Sequence, residues 1–206
     1  MDVKQIAICG RSPTTQWMAP WNDPAWECWG VPWDAGYWAK MDRFFEMHPR
    51  ADLETPAADR PNDYWEKLRE HIDWGSIYMH QHWDDIPCSV AYPFADVNAD
   101  VFATFPRAPW DDQKDFYASS PAYALALAIH EKADRIGLWG IDCASGSEFA
   151  QEHPNLAYLI GFAQGRGIEI VLPQGPTNLL KYDGTNTAFG TGKRDWHLRY
   201  GYLKNG

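Results

Sequence analysis

The chain has 206 residues, 45% hydrophobic and 22% charged, with a net charge of −10. That balance describes a folded domain with a sizeable core and excludes a disordered chain, and the acidity leaves no electrostatic footprint for long duplex nucleic acid. Nothing in it reads as a signal peptide or a membrane-length apolar run, and Cys9, Cys28, Cys88 and Cys143, spaced without a CxxC, read as free thiols in a reducing cytoplasm.

Gln5–Cys9 reads as a first strand. It runs into Gly10-Arg11-Ser12-Pro13-Thr14-Thr15, where glycine, serine and threonine offer backbone N–H and hydroxyl groups to a phosphate and Arg11 offers its charge. An ordinary strand-to-helix turn is the competing reading, since neither a P-loop nor a GxGxxG fingerprint is present. Tryptophan is abundant, and six of the twelve fall between positions 17 and 38. They read either as packing for long connections or as an aromatic platform for a base or sugar.

Residues 26–31 and 42–47 follow as strands, the latter closing on His48-Pro49. Residues 50–62, rich in Ala, Pro and Asp, read as a surface loop, and Asn62 caps a helix over 63–72. Ser76–Met79 is a further strand and enters His80-Gln81-His82-Trp83-Asp84-Asp85. Two histidines beside two acids lack further ligands at fixed spacing, so this is read as a ligand-side loop and no metal site is assigned. A short strand and turn over 86–94 lead to an irregular stretch, 95–115, which suits a lid or an acceptor-site insertion.

The stretch 117–146 organises the rest. Ser120 is expected at the N-cap with Pro121 at the first helical position, and 122–129 has no polar face, so that helix should be buried. The apolar run 136–141 suits a central parallel strand, and Asp142 stands just past its carboxyl end, the edge where open α/β sheets bind ligands. Pro154 is expected to open a helix to Gln164, and 168–172 is the last strand. A Gly/Thr/Asn loop over 184–192 and a tail with Trp196, His197, Tyr200 and Tyr202 complete the chain. The sum is one α/β domain over 1–206: three layers, Rossmann-like, about six mostly parallel strands with helices on both faces, and loop insertions near 50–62 and 95–115.

The central stretch resembles one shared by bacterial sialyltransferases and the hydroxymethylpterin pyrophosphokinase-like family. There a Ser-rich start precedes an Ala/Leu helix, and a strand ending Gly-Ile/Val-Asp follows; here these are Ser119-Ser120, residues 122–129 and Gly140-Ile141-Asp142. The first loop is similar to the family's G-x-G-P-S, with Gly10, Pro13 and Thr14 matching and Ser12 in place of the second glycine. From IAICGRSP to RGIEIVLP, the chain also resembles a group of small proteins found mainly in phage genomes.

The resemblance implies a nucleotide held between the first loop, Ser119, Ser120 and Gly140. It implies a cytidine nucleotide-activated sugar as donor substrate and puts His153 in the place of the downstream histidine that acts as base; no cofactor is assigned on this reading. The chain departs from the pattern at Pro32, where the family has Asn, and at Phe149, near the place of a phosphate-holding tyrosine.

Glycosyl transfer from such a donor needs groups that stabilise the departing phosphate, a base for the acceptor proton, and exclusion of water. Gly10, Arg11, Ser12 and Thr14 suit the first task, and His153 or His48 the second. A solvent-facing role for His153 and a capping role for His48 are the bland alternatives. Asp142 either accepts ribose hydroxyls or caps the turn after it. The phage resemblance suggests a modified DNA base or a nucleotide as acceptor. Two other functions remain open on the same fold. One is pyrophosphoryl or nucleotidyl transfer with Mg²⁺ held by carboxylates among Asp84, Asp85, Asp111, Asp112 and Asp142. The other is a non-catalytic nucleotide-binding module.

Overall fold

The computed structural model describes residues 3–31, 41–55, 63–70, 75–103, 116–143, 149–173 and 179. These build a seven-stranded sheet, every strand parallel to its neighbours: β1 Gln5–Cys9, β2 Trp26–Gly30, β3 Arg43–Phe45, β4 Ser76–Met79, β5 Ser89–Ala91, β6 Arg135–Trp139 and β7 Glu169–Val171. The order across the sheet is β5-β4-β3-β2-β1-β6-β7. Seven strands stand where about six were expected, and none is antiparallel. Parallel strands need crossover connections, and those place helices on the sheet faces.

The five helices among the described residues are α1 Arg50–Leu53, α2 Tyr64–Glu70, α3 Phe94–Val101, α4 Ser120–His130 and α5 Phe149–Gly165, with a 3-10 turn at Gln16–Met18. Strand alternation splits the core in two. Ile6, Ile8, Trp29 and Phe45 face α3, α4 and α5, while Ala7, Cys9, Cys28 and Phe44 face α1, α2 and the 3-10 turn. β1 lies between both layers, and Ile6 through Cys9 are all buried.

Helix α4 is the hub of the first layer. Every residue from Ala122 to Ile129 is buried, as its lack of a polar face requires, and its alanines let it lie close across β1, β2 and β3. Its carboxyl end stands at the amino edge of the sheet, where Lys4 Nζ donates to the Glu131 carboxylate at 2.7 Å. Its amino end therefore stands at the carboxyl edge.

Four expectations are corrected. The N-cap of α4 is Ser119, in an extended conformation, and Ser120 already belongs to the helix. The segment taken as irregular from 95 onward begins as α3, which packs on α4 through buried Val97, Asn98 and Val101. Helix α5 starts a turn and a half before Pro154, which sits inside it. A proline there removes one backbone hydrogen bond and leaves the φ angle helical. Part of the expected loop over 50–62 is α1. Residues 56–62, the remainder of the candidate lid at 104–115, the 184–192 loop and the aromatic tail lie outside the described residues, as do Trp33 and Trp38. No helix among the described residues is long and apolar enough to cross a membrane.

Candidate functional site

The strand order reverses direction at β1. The chain leaves β1 toward β2 on one side, and β6 returns on the other. Cys9 is level with Gly30 of β2 and Trp139 of β6, so the loops after these strands leave the sheet at the same height. The connection from β1 passes over one face and that from β6 passes to α5 on the other. A crevice at the carboxyl ends of β1 and β6 results, the usual ligand position in open α/β sheets.

Two segments 130 residues apart meet in this crevice. Gly10 N–H donates to Trp139 O and Ser12 N–H to Gly140 O, both at 2.8 Å. In return Gly140 N–H donates to the Thr15 hydroxyl at 2.8 Å. The approach is close enough to require glycine on both sides. A Cβ on Gly10 would lie 2.3 Å from Gly140 O, and one on Gly140, whose φ is +66°, would lie 2.5 Å from Gly10 O. Three residues on, Cys143 also has a positive φ, so the exit from β6 turns sharply twice.

Asp142 closes the crevice. Its Oδ2 accepts hydrogen bonds from Ser12 Oγ and, at 2.6 Å, from Thr14 Oγ1. The loop hydroxyls thus fix the carboxylate in place, and Arg11 stands exposed at the loop's start. Thr15, expected to offer its hydroxyl to a phosphate, is 2% exposed and instead locks the loop to Gly140. Cys143, next in the chain, has its thiol pushed up to about 12 by burial and then by the charges of Glu152 and Asp142. It is therefore a protonated packing group at neutral pH.

Ser119 and Ser120 sit at the amino end of α4 on the same edge. The Ser119 carbonyl accepts from Ala122 N–H at 2.9 Å, while its hydroxyl makes no cap bond. That Oγ is buried and has no protein partner, and such an atom in a native fold calls for one.

The two histidines taken as base candidates differ. His153 on α5 directs Nε2 at the Leu179 carbonyl. A carbonyl only accepts, so Nε2 carries the proton and the ring ties α5 to the chain beyond β7. His48 lies just past β3. Its Nδ1 is 2.5 Å from Glu46 Oε1, and its backbone N–H donates to the same oxygen at 3.1 Å. Glu46 is 1% exposed, and its other oxygen accepts from the Tyr64 hydroxyl of α2. Neither Glu46 nor Tyr64 was singled out in the sequence. The signal was a lone acid inside the apolar strand run, two residues before a histidine.

The loop after β4 is bonded to its neighbours in the fold. His82 Nδ1 lies 2.8 Å from Ser89 O, and Asp85 takes a two-pronged bond from Arg50 at 2.8 and 3.0 Å. Arg50 also lies against the rings of Trp65 and Trp83. His80 packs near Phe94 and Tyr123. No group of three or more His, Cys, Asp or Glu is placed to hold a metal among the described residues. Of the clustered tryptophans, Trp29 is buried and Trp17 is 65% exposed. The Trp17 indole N–H donates to Thr14 O at 3.1 Å, which fixes the exposed ring beside the first loop.

No protein-family model and no curated protein matches the chain. Among solved structures it is similar to the sialyltransferase CstII from Campylobacter jejuni. With the complex of that enzyme with the substrate analogue CMP-3FNeuAc it shares 16% identity at a TM-score of 0.48, over 86% of this chain and 83% of that one. With the complex with cytidine-5'-monophosphate the identity is 17% and the TM-score 0.47, over 84% of this chain and 81% of that one. The assignment to a Rossmann-like α/β fold rests on the parallel sheet and its strand order.

Proposed function

We propose that the chain is a glycosyltransferase-like enzyme that takes a nucleotide-activated sugar into the crevice between β1 and β6. The observation that carries this reading is the convergence of Ser12, Thr14 and Thr15 with Gly140 and Asp142. Thr14, Gly140 and Asp142 are among the residues through which the sequence resembles nucleotide-sugar enzymes.

The roles follow from chemistry. Asp142, held by two hydroxyls, accepts hydrogen bonds from the ribose. The Gly10 turn lets a phosphate approach the backbone, and Arg11 neutralises it. Ser119 Oγ gains its missing partner from the ligand. The exposed face of Trp17 offers stacking to a base. Departure of the nucleotide breaks the anomeric C–O bond while an acceptor hydroxyl, its proton removed by a base, forms the new one.

The test is a thermal-shift series with CMP, UMP, AMP and GMP and with CMP- and UDP-linked sugars. A ligand at a hundred times its Kd adds about 2.7 kcal/mol, and for a chain of this size each kcal/mol moves Tm by about 2–4 °C. A shift of about 5–11 °C with one nucleotide class, lost in Asp142→Ala, is the expected result. No shift with any nucleotide overturns the reading.

A further inference from the structure

We infer that Glu46 is a positioning residue for His48, and that the pair, steadied by Tyr64, is the base that takes the acceptor proton. The inference rests on the nucleotide-sugar reading of the crevice and adds the proton path to it. Three observations support it, none of them from the nucleotide loops.

The first is burial. Glu46 is 1% exposed, on the face of β3 that packs against α2. An isolated carboxylate there would be costly, so its hydrogen bonds decide its state. It accepts from Tyr64 Oη on one oxygen and from the His48 backbone N–H and ring on the other.

The second is tautomer. A carboxylate 2.5 Å from Nδ1 makes that nitrogen the donor, which leaves Nε2 as the basic nitrogen of the neutral ring. The His48 side chain is 39% exposed, so the ring reaches the surface while the acid behind it does not. A buried acid behind an oriented, half-exposed imidazole is the arrangement a general base requires.

The third is place. His48 follows β3, on the same carboxyl edge as Gly10 and Asp142, and β3 is two strands from β1. Two strand spacings are about 10 Å. That is within the span of a nucleotide-linked sugar laid along the edge with its base end at β6. The acceptor O–H gives its proton to Nε2 as the new C–O bond forms, and the imidazolium is stabilised by Glu46. The nucleotide leaves with the electron pair of the broken bond.

Among the described residues, Glu46 from its own segment bonds the His48 ring, and Tyr64 from α2 bonds the other oxygen of Glu46. The charges of α1 come next, and its Arg50 is committed to Glu54 and Asp85. The strand beside it, β4, contributes the Tyr78 carbonyl, which accepts from Glu46 N–H at 2.9 Å.

The experiment combines imidazole titration by NMR with the pH profile of nucleotide release from the CMP- or UDP-sugar that gives the thermal shift, using full-length wild type, Glu46→Gln, Tyr64→Phe and His48→Gln. Glu46 favours the imidazolium, so Glu46→Gln should lower the His48 pKa by about one unit or more. The acid limb of kcat should move down with it and the plateau should fall at least tenfold, with the nucleotide shift kept. Tyr64→Phe removes a donor from the carboxylate, strengthens its pull on the ring and should move the same limb upward. His48→Gln should lose about 10²- to 10⁴-fold in kcat. A purely structural pair would not move the limb in opposite directions in two folded variants. An unchanged His48 pKa in Glu46→Gln, or a wild type that binds the nucleotide sugar and never releases nucleotide from it, overturns the proposal. If no nucleotide binds at all, it is the reading of the crevice that fails, and the NMR titration still decides whether Glu46 orients His48.

Discussion

Gly140→Ala probes the crevice directly, because the structure gives its cost in two parts. The residue has φ of +66°, and a left-handed conformation costs an L residue about 1–2 kcal/mol. The added Cβ would also lie 2.5 Å from Gly10 O and 3.0 Å from Gln16 Cβ. The nearer neighbour is backbone and cannot rotate away, so β1 and β6 must part at their carboxyl ends, at about 1–3 kcal/mol by analogy with overpacked cores. The sum is about 2–5 kcal/mol. At about 2–4 °C per kcal/mol the expected loss in Tm is on the order of 10 °C. Gly161→Ala is the matched control. It lies in α5 with no atom within 4 Å of its would-be Cβ, so it should gain about 0.5–1 kcal/mol from the lower entropy of the unfolded chain. Both are read by circular-dichroism melting. A Gly140→Ala protein that melts within about 2 °C of wild type would mean that the two loops do not meet as described.

Other expectations follow from single residues. Burial works to raise the Glu131 carboxyl, but its bonds from Arg43 and Lys4 outweigh that and hold it below the ordinary value. Its stabilising effect is therefore complete above the unfolded pKa of about 4.3 and lost as pH falls through the folded value. Glu131→Gln should lower stability at pH 7 and flatten the acid limb of a denaturation series below pH 4.3, about the unfolded value. Alkylation at pH 8 followed by mass spectrometry should modify Cys88 first, because Cys9, Cys28 and Cys143 are buried and the Cys143 thiol is pushed up to about 12. Trp17→Ala should leave Tm almost unchanged, given the ring's exposure, and weaken nucleotide binding about tenfold if the ring stacks on the base.

The pieces of the fold that depend on local pattern were legible in the chain. Gln5–Cys9 and Ser76–Met79 are strands over the residues that their apolar runs mark. Residues 122–129 are buried on all sides, as a helix without a polar face must be. Helix α3 was not legible. Its sequence, FADVNADV, is rich in Asp, Asn and Val, which have low helix propensity. Packing on α4 overrides this, and the fully buried Asn98 is satisfied in part by the Tyr117 hydroxyl at 2.6 Å, a partner 19 residues away. Glu46 was missed for the same kind of reason. A glutamate between Phe45 and Met47 looks like a strand residue turned to solvent, and its burial is made tolerable by His48 together with Tyr64, which comes from a separate helix. Alternation says which residues share a face and does not say what covers that face.

The crevice was half legible, and the half that was not decides which histidine the chemistry favours. Gly10, Ser12, Thr14, Gly140 and Asp142 could be picked out as loop residues after strands, but only the strand order makes them neighbours. On the proposed binding mode, Asp142 takes the ribose at the β6 side and the phosphate lies over Gly10 and Arg11. Asp142 and a phosphate repel, so the anionic end of the donor is driven away from β6 toward β2 and β3. That direction leads away from His153, which stands on the α5 side with Nε2 committed to Leu179 O. It leads toward His48, whose buried partner sets the tautomer a base needs. Exchange of Asp142 for Asn removes the repulsion and keeps a group able to accept from Ser12 and Thr14. If the charge orients the donor, Asp142→Asn should bind free nucleotide nearly as well as wild type while losing turnover of the nucleotide sugar. Equal losses of binding and turnover would show that Asp142 serves binding alone, and the choice between the histidines would then rest on Glu46.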